Sequence, residues 1–427
     1  MSDIRDFVMG HPLFCHHDHH ASFQEFDAGR DGYDHKSLLG YATADLVTAA
    51  GPGVPANLSL ERMAEYWPYV RTTGYGRAVD LTSRECFGLE YTPDNWDEIA
   101  AALRDAIHGR TAQEVYEHYV HEVAQNRWTI QDGAFRLGTG STYREDAYPN
   151  SYAFAFRIDG LLAMDNPAII GELEQHTGLT IYTLDHLVDA LNLAIDEFQD
   201  TGRLAAIKIG MAYQRDLVVG DPTHAEAEAA FVKIRNRKSY YGGIRQYAGA
   251  VDAVESRRLG DYMFHRLIQR AADEGLPVQI HTGYLAGNWA PLTGIQALHL
   301  IPILDKYRTV RFDLFHASWP WASELGAIAK NWPNVWADLC WAWTMNPAES
   351  ERALSEWLDG VPHNKTFAYG ADTRLPWCNV GYSIQAKIGV ARVLENKIAA
   401  GYYSEETARE VAGCLLLHNG EEFFGLG

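Results

Sequence analysis

The run His16-His17-Asp18-His19-His20 closes an apolar stretch, Leu13-Phe14-Cys15, near the start of the chain. Within it lies one His-x-His, formed by His17 and His19. On a β-strand, residues two apart point to the same face, so both imidazoles can aim at one point. Imidazole is the commonest protein ligand for zinc and related divalent metals. Two such residues at a strand end make half a metal site; a solvated His-rich tract is the plainer alternative. Further along, polar residues again follow apolar strands: Lys208 after Ala205-Ala206-Ile207, His281 after Val278-Gln279-Ile280, His316 after Phe312-Asp313-Leu314-Phe315, and Asp372 after Tyr369-Gly370-Ala371. A lone His in such a place is more often a hydrogen-bonded structural residue. Four His, a Lys and an Asp brought to one mouth would form a metal-centred active site. A divalent cation there lowers the pKa of bound water from about 16 towards 7, which is the chemistry of hydrolysis.

The elements that must position these groups are legible mainly from residue 203 onward. Strands over 204–210, 278–283, 310–316, 335–339 and 366–372 alternate with helices over 256–274, 293–306, 321–331 and 348–358. Asp221-Pro222 offers an N-cap with proline at N1 for a further helix. Closing helices follow near 382–399 and 405–417, the second capped by Ser404. Strands alternating with helices argue for a parallel sheet covered by helices. Strands near 12–18, 131–137 and 152–158 bring the count to about eight, so the expected architecture is α/β, a TIM-type (β/α)8 barrel. In that fold every strand's C-terminal end lies on one face. Residues 21–130 break the pattern. They carry a helical segment over 59–70, a helix from Pro93 to near His108 with Thr92 as N-cap, and a helix from the capping box Thr111-x-x-Glu114 to near Asn126. An insertion after the first strand emerges on the active-site face, so it reads as a helical lid within a single barrel domain spanning 1–427. An independent helical domain is the alternative.

Bulk properties narrow the function. The 427 residues carry a formal net charge of −20. That disfavours nucleic acid or an anionic membrane as partner. No apolar run approaches membrane-spanning length, and the polar stretch Ser2–Asp6 leaves no room for a signal peptide ahead of the first strand. The five cysteines are scattered, with no Cys-x-x-Cys, as expected of reduced thiols in a cytoplasmic protein.

The order His-x-His, Lys, His, His, Asp along successive strands resembles the amidohydrolase superfamily, most closely its amidohydrolase-2 branch. Val278-Gln-Ile-His281-Thr-Gly resembles that branch's fifth-strand motif, Asp313-Leu-Phe-His316-Ala-Ser its sixth, and Tyr369-Gly-Ala-Asp372-Thr its eighth. The tail Glu405-Glu-Thr-Ala-Arg-Glu…His418-Asn419-Gly-Glu-Glu-Phe-Phe-Gly-Leu is similar to its closing helix. Trp67-Pro-Tyr-Val-Arg71-Thr-Thr-Gly-Tyr-Gly is similar to the insertion of uronate isomerase-like members, and Asp372-Thr-Arg374 to their Asp-Ser-Arg. The resemblance implies metal ligation by His17, His19, His281 and Asp372, with Asp372 also accepting a proton from the attacking water. It implies one or two divalent ions, zinc first, with manganese, iron or nickel as alternatives. His316 would bind a second metal or contact substrate. Lys208 falls near the position of a carboxylated lysine in binuclear members; a simple cation that neutralises substrate or Asp372 is the equal alternative. Cys15 stands where many relatives carry an acid, which speaks against decarboxylase chemistry.

Three activities follow from that resemblance. The first is hydrolysis of an amide or lactone in a small, carboxylate-bearing substrate, with Asp372, His316 and Lys208 as catalytic groups. The second is isomerisation of a hexuronate, with an Arg fork from Arg71, Arg215 or Arg374 holding the sugar carboxylate. The third is non-oxidative decarboxylation. A barrel that binds without catalysis is the alternative outside enzymes. Among the tryptophans, Trp319 and Trp377 are best placed to face substrate. Relatives of this kind commonly self-associate, so a homo-oligomer is expected.

Overall fold

The computed structural model describes residues 3–133, 147–200, 203–235 and 252–427. Eight strands are arranged in sequence order, each pairing parallel to the next. They are β1 (Leu13–Asp18), β2 (Asn126–Gln131), β3 (Tyr152–Arg157), β4 (Leu204–Ile209), β5 (Val278–Ile280), β6 (Phe312–Leu314), β7 (Val335–Asp338) and β8 (Thr366–Phe367). Beyond β8 the chain runs on beside β1. The His16 N–H donates to the Tyr369 carbonyl, Asp372 N–H to that of His17, and His19 N–H to that of Thr373, each at 3.0 Å. These bonds bring the last strand back to the first and give the (β/α)8 barrel expected of alternating strands and helices.

The chain's end closes the barrel floor. Phe423 and Phe424 pack with Phe14, Ile130, Ala155, Ala206 and Phe367 in a separate apolar cluster. The polar strand ends gather at the opposite face.

Two local expectations are corrected. The second strand lies at 126–131, not 131–137; residues 134–137 fall outside the described residues. Gln125, at φ 65°, turns the chain directly from the preceding helical segment into β2. The strand then opens on the polar pair Asn126-Arg127, which hides it from an apolar pattern. The helix after β4 spans His224–Arg235, and its cap is Thr223. The Thr223 hydroxyl accepts from the Glu226 N–H at 3.3 Å, and the Glu226 carboxylate accepts from the Thr223 N–H at 2.9 Å. This reciprocal box satisfies two donors where Asp221 would satisfy one; Asp221 instead pairs with Lys306 at 2.6 Å.

Between β1 and β2 the chain builds a helical layer that includes Ala42–Ala50, Leu60–Val70, Gly74–Phe87 and Trp96–Ile107. The helix Gly74–Phe87 lies along the long helix Cys378–Ala399. A Cβ at Gly381 would sit 2.0 Å from the Ala78 carbonyl oxygen, so these two backbones touch. Among the described residues, no helix is long and apolar enough to cross a membrane.

Candidate metal centre

His17 and His19 leave the end of β1 with their Nε2 atoms 3.1 Å apart. Asp372, beyond β8, meets them from across the ring closure: its Oδ1 is 3.7 Å from His17 Nε2 and 3.3 Å from His19 Nε2. One ligand atom from each lies within 4.8 Å of the others. Burial alone would push the Asp372 carboxyl up, but His17, His19 and His316 around it outweigh that and hold it well below the usual carboxylate range. Burial drives His17 well below ordinary imidazole basicity. It also pulls on His19, where the neighbouring Asp372 and Asp132 reverse the effect.

A second imidazole pair stands on the other side of Asp372. His281 Nδ1 and His316 Nε2 are 3.1 Å apart, and His316 Nε2 is 3.8 Å from Asp372 Oδ2. Their far nitrogens settle the tautomers. His281 Nε2 faces the Tyr284 carbonyl at 2.9 Å, and His316 Nδ1 faces the Cys340 carbonyl at 2.9 Å; each must carry its proton there. The two facing nitrogens are then bare lone pairs, and burial lowers both basicities, that of His316 to about 4. Bare imidazole nitrogens and a carboxylate converging in a buried site are a donor set that fits a divalent cation. His281 thus sits with His316, while the tight triangle is His17, His19 and Asp372.

The backbone is held out of its easy conformations here. His316, Ala317 and Ser318 have φ of 62°, 55° and 47°, and Asp372 has φ 57°. Non-glycine residues in this region cost about 1–3 kcal/mol each and persist where surroundings over-determine them, typically at functional sites. For Asp372 that restraint includes the bond to the His17 carbonyl.

A cavity of about 200 Å³ opens over the triangle, lined also by His281, Lys208, Arg157, Tyr41 and Tyr213. Lys208 is 1% exposed and its Nζ has no hydrogen-bond partner. It lies 3.6 Å from the Phe315 ring centroid, and burial lowers its pKa to about 8. Four residues here were not among the sequence candidates. Arg157, at the end of β3, donates to Asp132 at 2.7 Å and Asp159 at 2.5 Å. Asp132, just past β2, is 4.0 Å from His17 Nε2 and 3.8 Å from His19 Nδ1. Tyr41, from the inserted helices, donates its hydroxyl to Asp372 Oδ1 at 3.1 Å, and Tyr213 stacks edge-on with His281.

The remaining candidates lie elsewhere. Arg71 and Arg374 are exposed, and Arg215 pairs with Asp261 at 2.5 Å. Trp319 is half-buried against Tyr284. Trp377 is fully buried among Phe26, Tyr33 and Tyr119, and its indole N–H donates to the Ser37 carbonyl at 3.0 Å; it ties the insertion to the closing helix.

Residues 218–426 match the amidohydrolase family model. The fluG protein of Emericella nidulans is 27% identical over 204 residues, which is 44% of this chain and 22% of that protein. The chain therefore spans about a fifth of that curated relative. A uronate isomerase from Thermotoga maritima superposes with a TM-score of 0.78 at 13% identity, covering 99% of this chain and 96% of its own. A glucuronate isomerase from Caulobacter crescentus gives 0.76 at 16%, covering 99% and 93%. A Lactobacillus casei protein designated a metal-dependent hydrolase gives 0.67 at 14%, covering 100% and 98%. At these identities the structural likeness is one of fold. The chain resembles the amidohydrolase superfamily in sequence and its uronate isomerase-like members in architecture.

Proposed function

We propose that the cavity is the active site of a metal-dependent enzyme that hydrolyses a C–N or C–O bond, an amide or a lactone, in a small carboxylate-bearing substrate. The observation that carries this reading is the triangle of His17, His19 and Asp372, with a proton-carrying hydroxyl, that of Tyr41, already on Asp372. His17, His19 and Asp372 would hold one divalent ion, zinc by preference. The ion would supply Lewis acidity, polarising the carbonyl under attack and acidifying water. Asp372, kept anionic, takes the proton released in the attack and returns it to the leaving group. Tyr41 orients that carboxylate through Oδ1 and leaves Oδ2 on the His316 side. His316 is neutral with its Nδ1 proton committed to Cys340, so it faces the reacting centre as a lone-pair donor. The inserted helices, which bring Tyr41 over the mouth, act as a lid that limits bulk water.

A second reading, isomerisation of a hexuronate, is favoured by one specific feature. Tyr41 and Asp372 place two proton-carrying oxygens 3.1 Å apart, as a proton shuttle between adjacent carbons requires, and the uronate isomerase likeness extends over the insertion that supplies Tyr41. The test is incubation of the zinc- or manganese-loaded protein with panels of acidic amides, lactones and hexuronates, read by mass spectrometry. An opened lactone heavier by one water, or an acid and an amine whose masses together equal the amide plus one water, supports hydrolysis. A product of unchanged mass with a moved carbonyl supports isomerisation. Turnover unaffected by stripping the metal would sink both.

A further inference from the structure

We propose that Lys208 is the receptor for the substrate's carboxylate, held as a free ammonium at one end of the cavity while the reacting group lies at the His17–His19–Asp372 end. This rests on the proposed function for where the reaction occurs, but the anion site itself stands on separate observations. Among the described residues, two cations line the cavity, Arg157 and Lys208. Arg157 is engaged: its Nη1 and Nε donate to Asp132 and Asp159, two carboxylates against one guanidinium. Lys208 is not committed. Its Nζ is buried with no acceptor, and its nearest defined contact is the Phe315 ring face, which attracts a cation but fills no N–H.

An ammonium has three donors and no acceptor. Burying all three unpaired is costly unless a ligand satisfies them. The rows beneath do not supply that ligand. In register, Lys208 stands level with Gln279 on β5, and Gln279 with Asp313 on β6. Gln279 Nε2 donates to the His16 carbonyl at 2.9 Å and to Asp313 Oδ2 at 3.1 Å, while Gln279 Oε1 and Asp313 Oδ1 have no hydrogen-bond partner, so neither acceptor reaches Nζ. Burial, with Arg157, lowers the Lys208 pKa to about 8; Asp132 and Asp372 oppose that shift, yet neither bonds to Nζ. A carboxylate entering the cavity completes the ammonium with charge-assisted hydrogen bonds. Arg71 and Arg374 are exposed and do not line the cavity.

The experiment is calorimetric titration of the zinc-loaded protein with malonate, and with malonamide as the uncharged control. Wild type is expected to bind malonate at least tenfold more tightly than malonamide. Lys208→Met and Lys208→Gln should each weaken malonate roughly ten- to a hundredfold, while Lys208→Arg keeps most of the affinity. Bound zinc, measured by mass spectrometry, should be the same in every folded variant, with folding checked by thermal melts. Repeating the titration on chelator-treated protein separates the two proposals: wild type should still outbind the Met variant there, whether or not metal-dependent turnover is found. Equal malonate affinity in wild type and both neutral variants would overturn the assignment. So would a carbamate carbon signal from ¹³C-bicarbonate in wild type that is lost in Lys208→Met, because a carboxylated lysine is an anion and repels the ligand.

Discussion

In the proposed reaction Asp372 is where metal, proton and substrate would meet, so substitutions there are the most direct test. Asp372→Asn keeps the volume and removes the charge that faces His19 and accepts from Tyr41. Turnover is expected to fall by about 10²–10⁴-fold, with metal content reduced and the far-ultraviolet circular dichroism unchanged; full activity in this variant would remove Asp372 as proton carrier. Tyr41→Phe deletes only the hydroxyl on Oδ1. If that hydroxyl orients a working carboxylate, kcat drops roughly tenfold or more while bound zinc stays constant, and an unchanged kcat would reduce Tyr41 to packing. Sequence reasoning reached the residues that end apolar strands, since a His, Lys or Asp there breaks a strong pattern: His17, His19, Lys208, His281, His316 and Asp372. It did not reach Asp132, because the strand before it was placed several residues late, nor Arg157, which reads as an ordinary strand-end charge. Tyr41 carries no signal of its own, lying in an insertion whose helices have no periodic relation to the barrel. Trp377, by contrast, follows Asp372 closely in sequence and yet points into packing, because the chain turns into a helix directly after it.

Neighbouring elements carry a second layer of design beneath the site. Asp313 on β6 is buried beside Gln279 on β5, and burial raises its pKa to about 7; Asp338 on β7 is raised further by burial and by Asp313. A carboxyl whose folded pKa lies above its unfolded value binds more protons in the folded state between about pH 4 and 7. Its contribution to stability is therefore full at acid pH and is lost as pH rises through 7. Asp313→Asn removes that dependence, so the variant's thermal midpoint should gain on wild type by a few °C between pH 4 and pH 7 and hold level above. A gap independent of pH would mean Asp313 is ionised throughout. The docking of the insertion is tested at Gly381, where any side chain meets the Ala78 carbonyl. Gly381→Ala should cost about 1–3 kcal/mol and, by shifting the helix Gly74–Phe87, raise KM more than it lowers kcat. Unchanged melting and KM would show that the two helices part without consequence.

At the scale of the molecule, the barrel was readable because each helix and strand of residues 203–427 has its own period, and parallel strands joined by helices leave few alternatives. The first half was harder, since the insertion separates β1 from β2 by more than a hundred residues and contributes nothing to the alternation. The finished barrel also holds something no element shows alone: two imidazole pairs, His17 with His19 and His281 with His316, each with facing nitrogens 3.1 Å apart, around one carboxylate. The facing nitrogens of the second pair carry bare lone pairs, and the backbone at His316 and Asp372 beside them lies in the left-handed region. A divalent ion held by His17, His19 and Asp372 would favour the folded chain, because those ligands come together from opposite ends of the sequence. Folded-state binding stabilises by RT ln(1 + [L]/Kd), about 4 kcal/mol at a thousandfold excess over Kd. Chelator treatment should therefore lower the thermal midpoint, zinc should restore it in a concentration-dependent way, and the increment should shrink in Asp372→Asn and in His17→Ala. A midpoint indifferent to chelator and to added zinc in the wild type would mean that the converging ligands hold no metal, and the hydrolase and isomerase readings would fall together.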